Sequence, residues 1–302
     1  MIEMRPTSPS TGTAAKRRAG VSSLDCYIAG SVTAWDEGDL SGIGWDGDVV
    51  DRDDYLPPRL RAPRPAGTTV SRYWVPTAHG KVRITLFCPV DRTAPLPVML
   101  YLHGGGWTCG GENSHDRTMR AYARKAGIGV AGIDYGLLAD ESGARAEEQV
   151  ISAADWLTLS AARLRLAPDR FALGGDYAGA RLALATAIRL RDAGAGRRVS
   201  AMLLSYGDFG GERDTREADA CLRSAATTAS PDLAGLPPTL LCVPDYDVAA
   251  DGGIDIRDRL MAAHVRTTVH VSERPSCLAA AAQSAMEPGL DDITNWLEAR
   301  LG

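Results

Sequence analysis

Long apolar runs are missing from this sequence. No stretch approaches the roughly 18 uninterrupted apolar residues that a membrane-spanning helix requires, so no membrane partner is expected. A basic excess is missing too. With 33 Lys and Arg against 38 Asp and Glu, the formal net charge is -5, which gives nucleic acid no electrostatic footing. Closely spaced cysteine pairs are absent. The six cysteines, at 26, 88, 109, 221, 242 and 277, include no CxxC, which excludes the spacing of a zinc or thioredoxin-like site. No metal and no cofactor is expected. A chain of 302 residues buries a large core without disulfide staples, so these cysteines read as reduced thiols of a cytoplasmic protein. Phenylalanine is scarce, at 3 residues. Ala, Arg, Gly and Asp are plentiful instead, a coding bias that says little about chemistry. What remains is ordinary globular composition, with 45% hydrophobic and 24% charged residues. That excludes disorder over the whole length.

Residues 1–20 are small, polar and rich in Pro, Ser and Thr, and cannot bury enough apolar surface to offset ordering. They read as a tail. Residues 21–65 mix apolar and acidic residues and end in Pro57, Pro58, Pro63 and Pro65, which suggests a lid or flap. From 66 to 302 the pattern is that of one domain. TTVSRYWV and KVRITLFC alternate around His79-Gly80 as an antiparallel hairpin should. LPVMLYLH (96–103) is nearly all apolar, the mark of a strand buried on both faces. Helices are expected over about 116–126, 145–164, 177–193, 254–263 and 289–301. Strands are expected over 129–134, 170–175, 200–206, 239–244 and 267–272. This alternation predicts an α/β fold, a mostly parallel central sheet with helices on both faces.

Three segments carry chemistry. His103-Gly104-Gly105-Gly106-Trp107 follows the buried strand directly, and its glycines let backbone N–H groups face a substrate. Such groups can stabilise an oxyanion. Gly174-Gly175-Asp176-Tyr177-Ala178-Gly179-Ala180 lies between strand and helix, the context of a nucleophile elbow. The side chain at 177 would stand above the sheet, with the Ala178 N–H as a further oxyanion donor at the helix start. Asp247, in Asp245-Tyr246-Asp247, follows a strand at the sheet end where α/β proteins bind ligands.

Together these segments resemble the hormone-sensitive-lipase-like branch of the α/β-hydrolase family, the bacterial acetyl-esterase type. HGGGW, IDYGLL (133–138), LAPDRFALGGDYAGARLALA and SPDLAGLPPTLL leading into PDYDVAADGG carry the likeness, over about residues 68–301. The resemblance implies an α/β-hydrolase fold with a Ser-Asp-His triad. Two triad positions depart from it. The elbow of the family reads GDSAG, and here Tyr177 stands where the serine should be. The family histidine falls by spacing at Ser276 or Cys277, while His270 lies within the preceding strand. Ala180 replaces a glycine, and Arg181 is read as opening on the helix surface.

A serine hydrolase needs a hydroxyl deprotonated by an adjacent imidazole. With neither present, the residues suggest a non-hydrolytic enzyme of cyclase, lyase or isomerase type acting on a small carbonyl-containing metabolite. In that reading His103, Gly104, Gly105, Gly106 and Ala178 bind the substrate oxygen, and Tyr177 and Asp247 handle protons. The first alternative is a small-molecule-binding protein without catalysis, and the second is a weak carboxylesterase. All three imply a small-molecule substrate or ligand, and the composition leaves room for a homodimer.

Overall fold

The structure, a computed structural model, describes residues 66–78, 80–91, 95–104, 115–135, 143–194, 199–207, 209, 232–244, 248–272 and 289–302. The expected tail over 1–20 and lid over 21–65 lie outside these residues. All elements below belong to the unit Asp39–Gly302.

Alternating residues make the hairpin of β1 (Thr68–Thr77) and β2 (Gly80–Pro89), with Thr77 opposite Gly80. Strand β2 then pairs antiparallel with β4 (Gly129–Asp134). Beyond β4 every pairing is parallel, through β3 (Leu96–Leu102), β5 (Leu166–Asp176), β6 (Val199–Ser205), β7 (Thr239–Pro244) and β8 (Thr267–Ser272). The eight strands run in the order β1-β2-β4-β3-β5-β6-β7-β8.

The helices are α1 (Asp116–Ala126), α2 (Gly143–Leu159), α3 (Ala161–Leu164), α4 (Ala178–Asp192), α5 (Val248–Ala262) and α6 (Leu290–Leu301). They cover the two faces of the sheet. On one face Leu96, Val98, Leu100 and Leu102 of β3 join a core with residues of α2, α4 and α5. On the other, Met99 and Tyr101 of the same strand meet Met119 and Tyr122 of α1 and Ile293 and Leu297 of α6. That two-sided burial is why β3 reads as an unbroken apolar run. No helix among the described residues is long and apolar enough to cross a membrane.

Four local expectations differ. The helix expected over 145–164 ends at Leu159 and resumes as α3, which Arg165 closes in a left-handed conformation at φ 56°. Strand β5 begins at Leu166, four residues early, and its pairing with β3 is irregular between the Leu96–Leu166 and Val98–Phe171 pairs. Pro168, which has no N–H to donate, falls in that irregular stretch. Helix α5 starts at Val248 and runs through Gly252-Gly253, six residues ahead of the expected start at 254. A Cβ on Gly253 would lie 2.5 Å from Val243 Cγ1, so glycine serves helix-on-strand contact there rather than a turn. Arg181 is 2% exposed, not on a surface. Helix α4 lies against α2, β3, β5 and β6, and leaves position 181 no outward face.

Candidate active site

The sequence Gly-Gly-Asp-Tyr at the end of β5 builds a sharp elbow. Tyr177 has φ 48° and ψ -117°, and α4 begins at the next residue. Positive φ is strained for a bulky aromatic side chain, at about 1–3 kcal/mol, and persists only where surroundings enforce it. The surroundings do so through hydrogen bonds. The Tyr177 N–H donates to Ser205 O at 3.0 Å, and the Tyr177 carbonyl accepts from Ala180 N–H at 3.1 Å and Arg181 N–H at 3.2 Å. Close approach of chains adds to this. A Cβ on Gly179 would collide with the Leu102 carbonyl, and one on Gly175 would lie 2.6 Å from Leu102 O and from the Gly179 carbonyl group. Helix α4 therefore lies directly on the end of β3, which brings the elbow beside His103 and Gly104.

Ala178 supplies the first N–H of α4, at the positive end of the helix dipole. Gly104 plays a different part. Its N–H donates to Asp176 Oδ1 at 3.0 Å, so it is engaged by the elbow itself. Asp176, 2% exposed, also accepts from Tyr101 Oη at 2.9 Å. His115 Nε2 lies 3.2 Å from its Oδ1 and 3.3 Å from its Oδ2. A buried carboxylate is tolerable because several donors surround it.

His103 is buried beside this group. Its Nδ1 lies 2.9 Å from the Gly104 carbonyl, which fixes the proton on Nδ1. Its Nε2 is buried and has no hydrogen-bond partner among the described residues. Tyr135 stacks on the ring at 4.4 Å and donates its hydroxyl to the His103 carbonyl at 2.5 Å. Burial, and next the neighbouring His115, lower the His103 pKa to about 4, against the opposing effects of the Gly104 carbonyl and of Asp134 and Asp176. The ring is neutral at physiological pH and is no cation for a substrate carboxylate.

A pH dependence follows. An unfolded histidine takes a proton near pH 6.5, and the folded ring does so only near 4. Its contribution is complete above about pH 6.5 and shrinks as pH falls toward 4, by up to about 3 kcal/mol. Urea midpoints should therefore decline from pH 7 to pH 5, and His103→Gln should flatten that decline. An unchanged slope in the variant would refute the assignment.

Tyr177 is partly exposed and packs against the core on the α1 and α6 face. Its ring centroid lies 6.4 Å from that of Tyr206, at a 42° tilt. Tyr206 directly follows the neighbouring strand β6, also at positive φ, 54°, with its N–H donating to Cys242 O at 2.8 Å. Sequence reading passed over Tyr206, Asp176 and His115. An acid directly before the elbow residue was the one available signal. His270 sits on β8, with Nδ1 3.4 Å from Asp292 Oδ2 of α6 and its ring against Gly289. It is thus engaged with α6 and not with the elbow. Gly105, Gly106, Asp247, Ser276 and Cys277 lie outside the described residues.

This architecture has close counterparts. A family model described as alpha/beta hydrolase fold matches residues 99–230. A bacterial heroin esterase superposes with a TM-score of 0.71 at 25% identity, over 81% of this chain and 88% of its own. The chain has the α/β-hydrolase fold.

Its likeness is to the hormone-sensitive-lipase-like branch. EstE1, a thermostable carboxylesterase from a metagenomic library, matches with a TM-score of 0.68 at 25% identity, over 81% of this chain and 92% of the other. An esterase from the hyperthermophilic archaeon Pyrobaculum calidifontis shares the fold, with a TM-score of 0.65 at 24% identity over 80% and 85% of the two chains. These solved structures are esterases by name, and they overturn the expectation of a cyclase, lyase or isomerase.

Proposed function

We propose that this α/β-hydrolase is a low-turnover carboxylesterase acting on small esters in the cytoplasm. The elbow geometry at Tyr177 carries the reading, because it presents a hydroxyl-bearing side chain and the Ala178 N–H together at the start of α4. The likeness to the bacterial heroin esterase and to EstE1 supports it. The cytoplasmic placement rests on the unpaired spacing of the six cysteines.

The chemistry uses this chain's own groups. The ester carbonyl oxygen accepts a hydrogen bond from the Ala178 N–H, which strengthens as charge develops on that oxygen. Water adds to the carbonyl carbon, and the bond to the alcohol oxygen breaks. The proton lost by water passes to the departing alkoxide through the Tyr177 hydroxyl, so an acid and an alcohol leave. Asp247, Gly105 and Gly106 join this scheme by sequence position alone, as proton holder and further N–H donors. Turnover is low because a phenol with pKa about 10 is a poor relay and no histidine occupies 276 or 277.

The test is hydrolysis of p-nitrophenyl acetate and butyrate by purified full-length protein. The expected acceleration is roughly 10³–10⁴ over water, the level that binding and oxyanion donors sustain without a triad. An ester that binds with no acceleration would overturn the reading in favour of a binding protein.

A further inference from the structure

Asp176 draws together four parts of the chain. It ends β5 immediately before Tyr177, and it accepts hydrogen bonds from Tyr101 of β3 and from Gly104, the first glycine of the HGGG segment. It also faces the ring of His115, the residue that opens α1. His115 makes no side-chain cap for α1, and its Nε2 is directed to Asp176 instead. Tyr101 in turn lies in ring contact with His115 at 6.0 Å and with Tyr122 of α1 at 5.8 Å.

Two further features show that this contact shapes the local sequence. A Cβ at position 104 would fall on the Asp176 carboxylate, so only glycine lets the backbone come this close. Asp176 and His115 are also both almost fully buried, where each polar atom needs a partner. The pairs Lys125–Asp291 and Arg191–Asp192, by contrast, each include a well-exposed member and tie no motif to another.

We propose that Asp176, seated by Tyr101 and His115, is a positioning residue that locks the start of the HGGG segment to the elbow. It touches no substrate. It sets where the chain leaves β3 and holds Gly104 beside the elbow that carries Ala178. Oxyanion stabilisation depends steeply on such placement, because preorganised donors need no reorganisation at the moment of reaction. Its catalytic consequence rests on the carboxylesterase reading, while the lock itself does not.

The experiment is amide hydrogen exchange on full-length protein, read at Gly104 and, as a reference, at Leu204, a fully buried position on the adjacent strand β6. Asp176→Ala should speed exchange at Gly104 by about 100-fold or more with little change at Leu204. Asp176→Asn keeps an oxygen for Gly104 but loses the charge that His115 and Tyr101 face, and should fall between. If the alanine variant does not fold, the asparagine variant and His115→Leu provide the same comparison. Unchanged exchange at Gly104, or an equal rise at Gly104 and Leu204, would overturn the lock. In the ester assay the same variants should lower kcat by about 10–100-fold with KM within about threefold. A change confined to KM would overturn the positioning role. If wild type hydrolyses no ester, the carboxylesterase reading fails alone, and exchange at Gly104 still decides the lock.

Discussion

Tyr177→Phe should lower kcat/KM for p-nitrophenyl acetate by about 10²-fold, the lower end of what general acid–base groups contribute. The substitution is narrow. It keeps the ring that stands 6.4 Å from Tyr206 and the strained backbone at φ 48°, and it removes only the hydroxyl. Because the proton relay acts in the transition state, the loss should appear in kcat while KM holds. Tyr177→Ser should not produce an efficient esterase. The last histidine of the sequence is His270, and its ring is engaged with Asp292 and Gly289 on the α6 side. A serine at the elbow would lack the base that makes serine a nucleophile. Steady-state kinetics on the three proteins, with circular dichroism to confirm folding, decide the matter. Full activity in the phenylalanine variant would reduce Tyr177 to a wall of the site.

Gly179→Ala should be the most damaging small substitution in the protein. The added methyl would collide with the carbonyl groups of Leu102 and His103, which belong to the backbone at the end of β3 and cannot rotate away. Helix α4 would have to lift from the sheet and disturb packing on both of its sides. Overpacking a core in this way costs about 3 kcal/mol or more, or roughly 6–12 °C in Tm for a domain of this size. Gly194→Ala is the control. It also adds one methyl, at φ 56°, but has nothing within 4 Å of the new atom, so only about 1–2 kcal/mol of backbone strain is expected. Thermal melts showing the two variants equal would contradict the packing account.

How much of this could be read in advance depended on whether a residue type was forced by its own backbone. The HGGG and GGDYAG segments were legible because close chain approach admits nothing but glycine at Gly104, Gly175 and Gly179. Tyr177 could be placed on an elbow because the spacing of strand and helix around it is local. The start of α5 was not legible because glycine disfavours helix interiors, yet Gly253 serves helix-on-strand contact at Val243. Arg181 misled because charged residues seldom lie in a core, and only the crowding around α4 puts it there. His115 and Asp176 are 61 positions apart, and no periodicity joins them. The activity was misjudged for a different reason. Two departures, at Tyr177 and at Ser276 or Cys277, stand against a scaffold that the solved esterases share over about four fifths of the chain.

The elbow is a property of the main chain. Ladder bonds to Ser205, the turn of α4 and the glycines beneath it hold position 177 in place, and none of them involves its side chain. Position 177 is thus a socket set by the main chain around it. A lineage can exchange the reactive group there without rebuilding the molecule, and so can change or lose its chemistry while its architecture stays intact. A scaffold built in this way outlasts any one reaction, and the side chain at the socket records the most recent use.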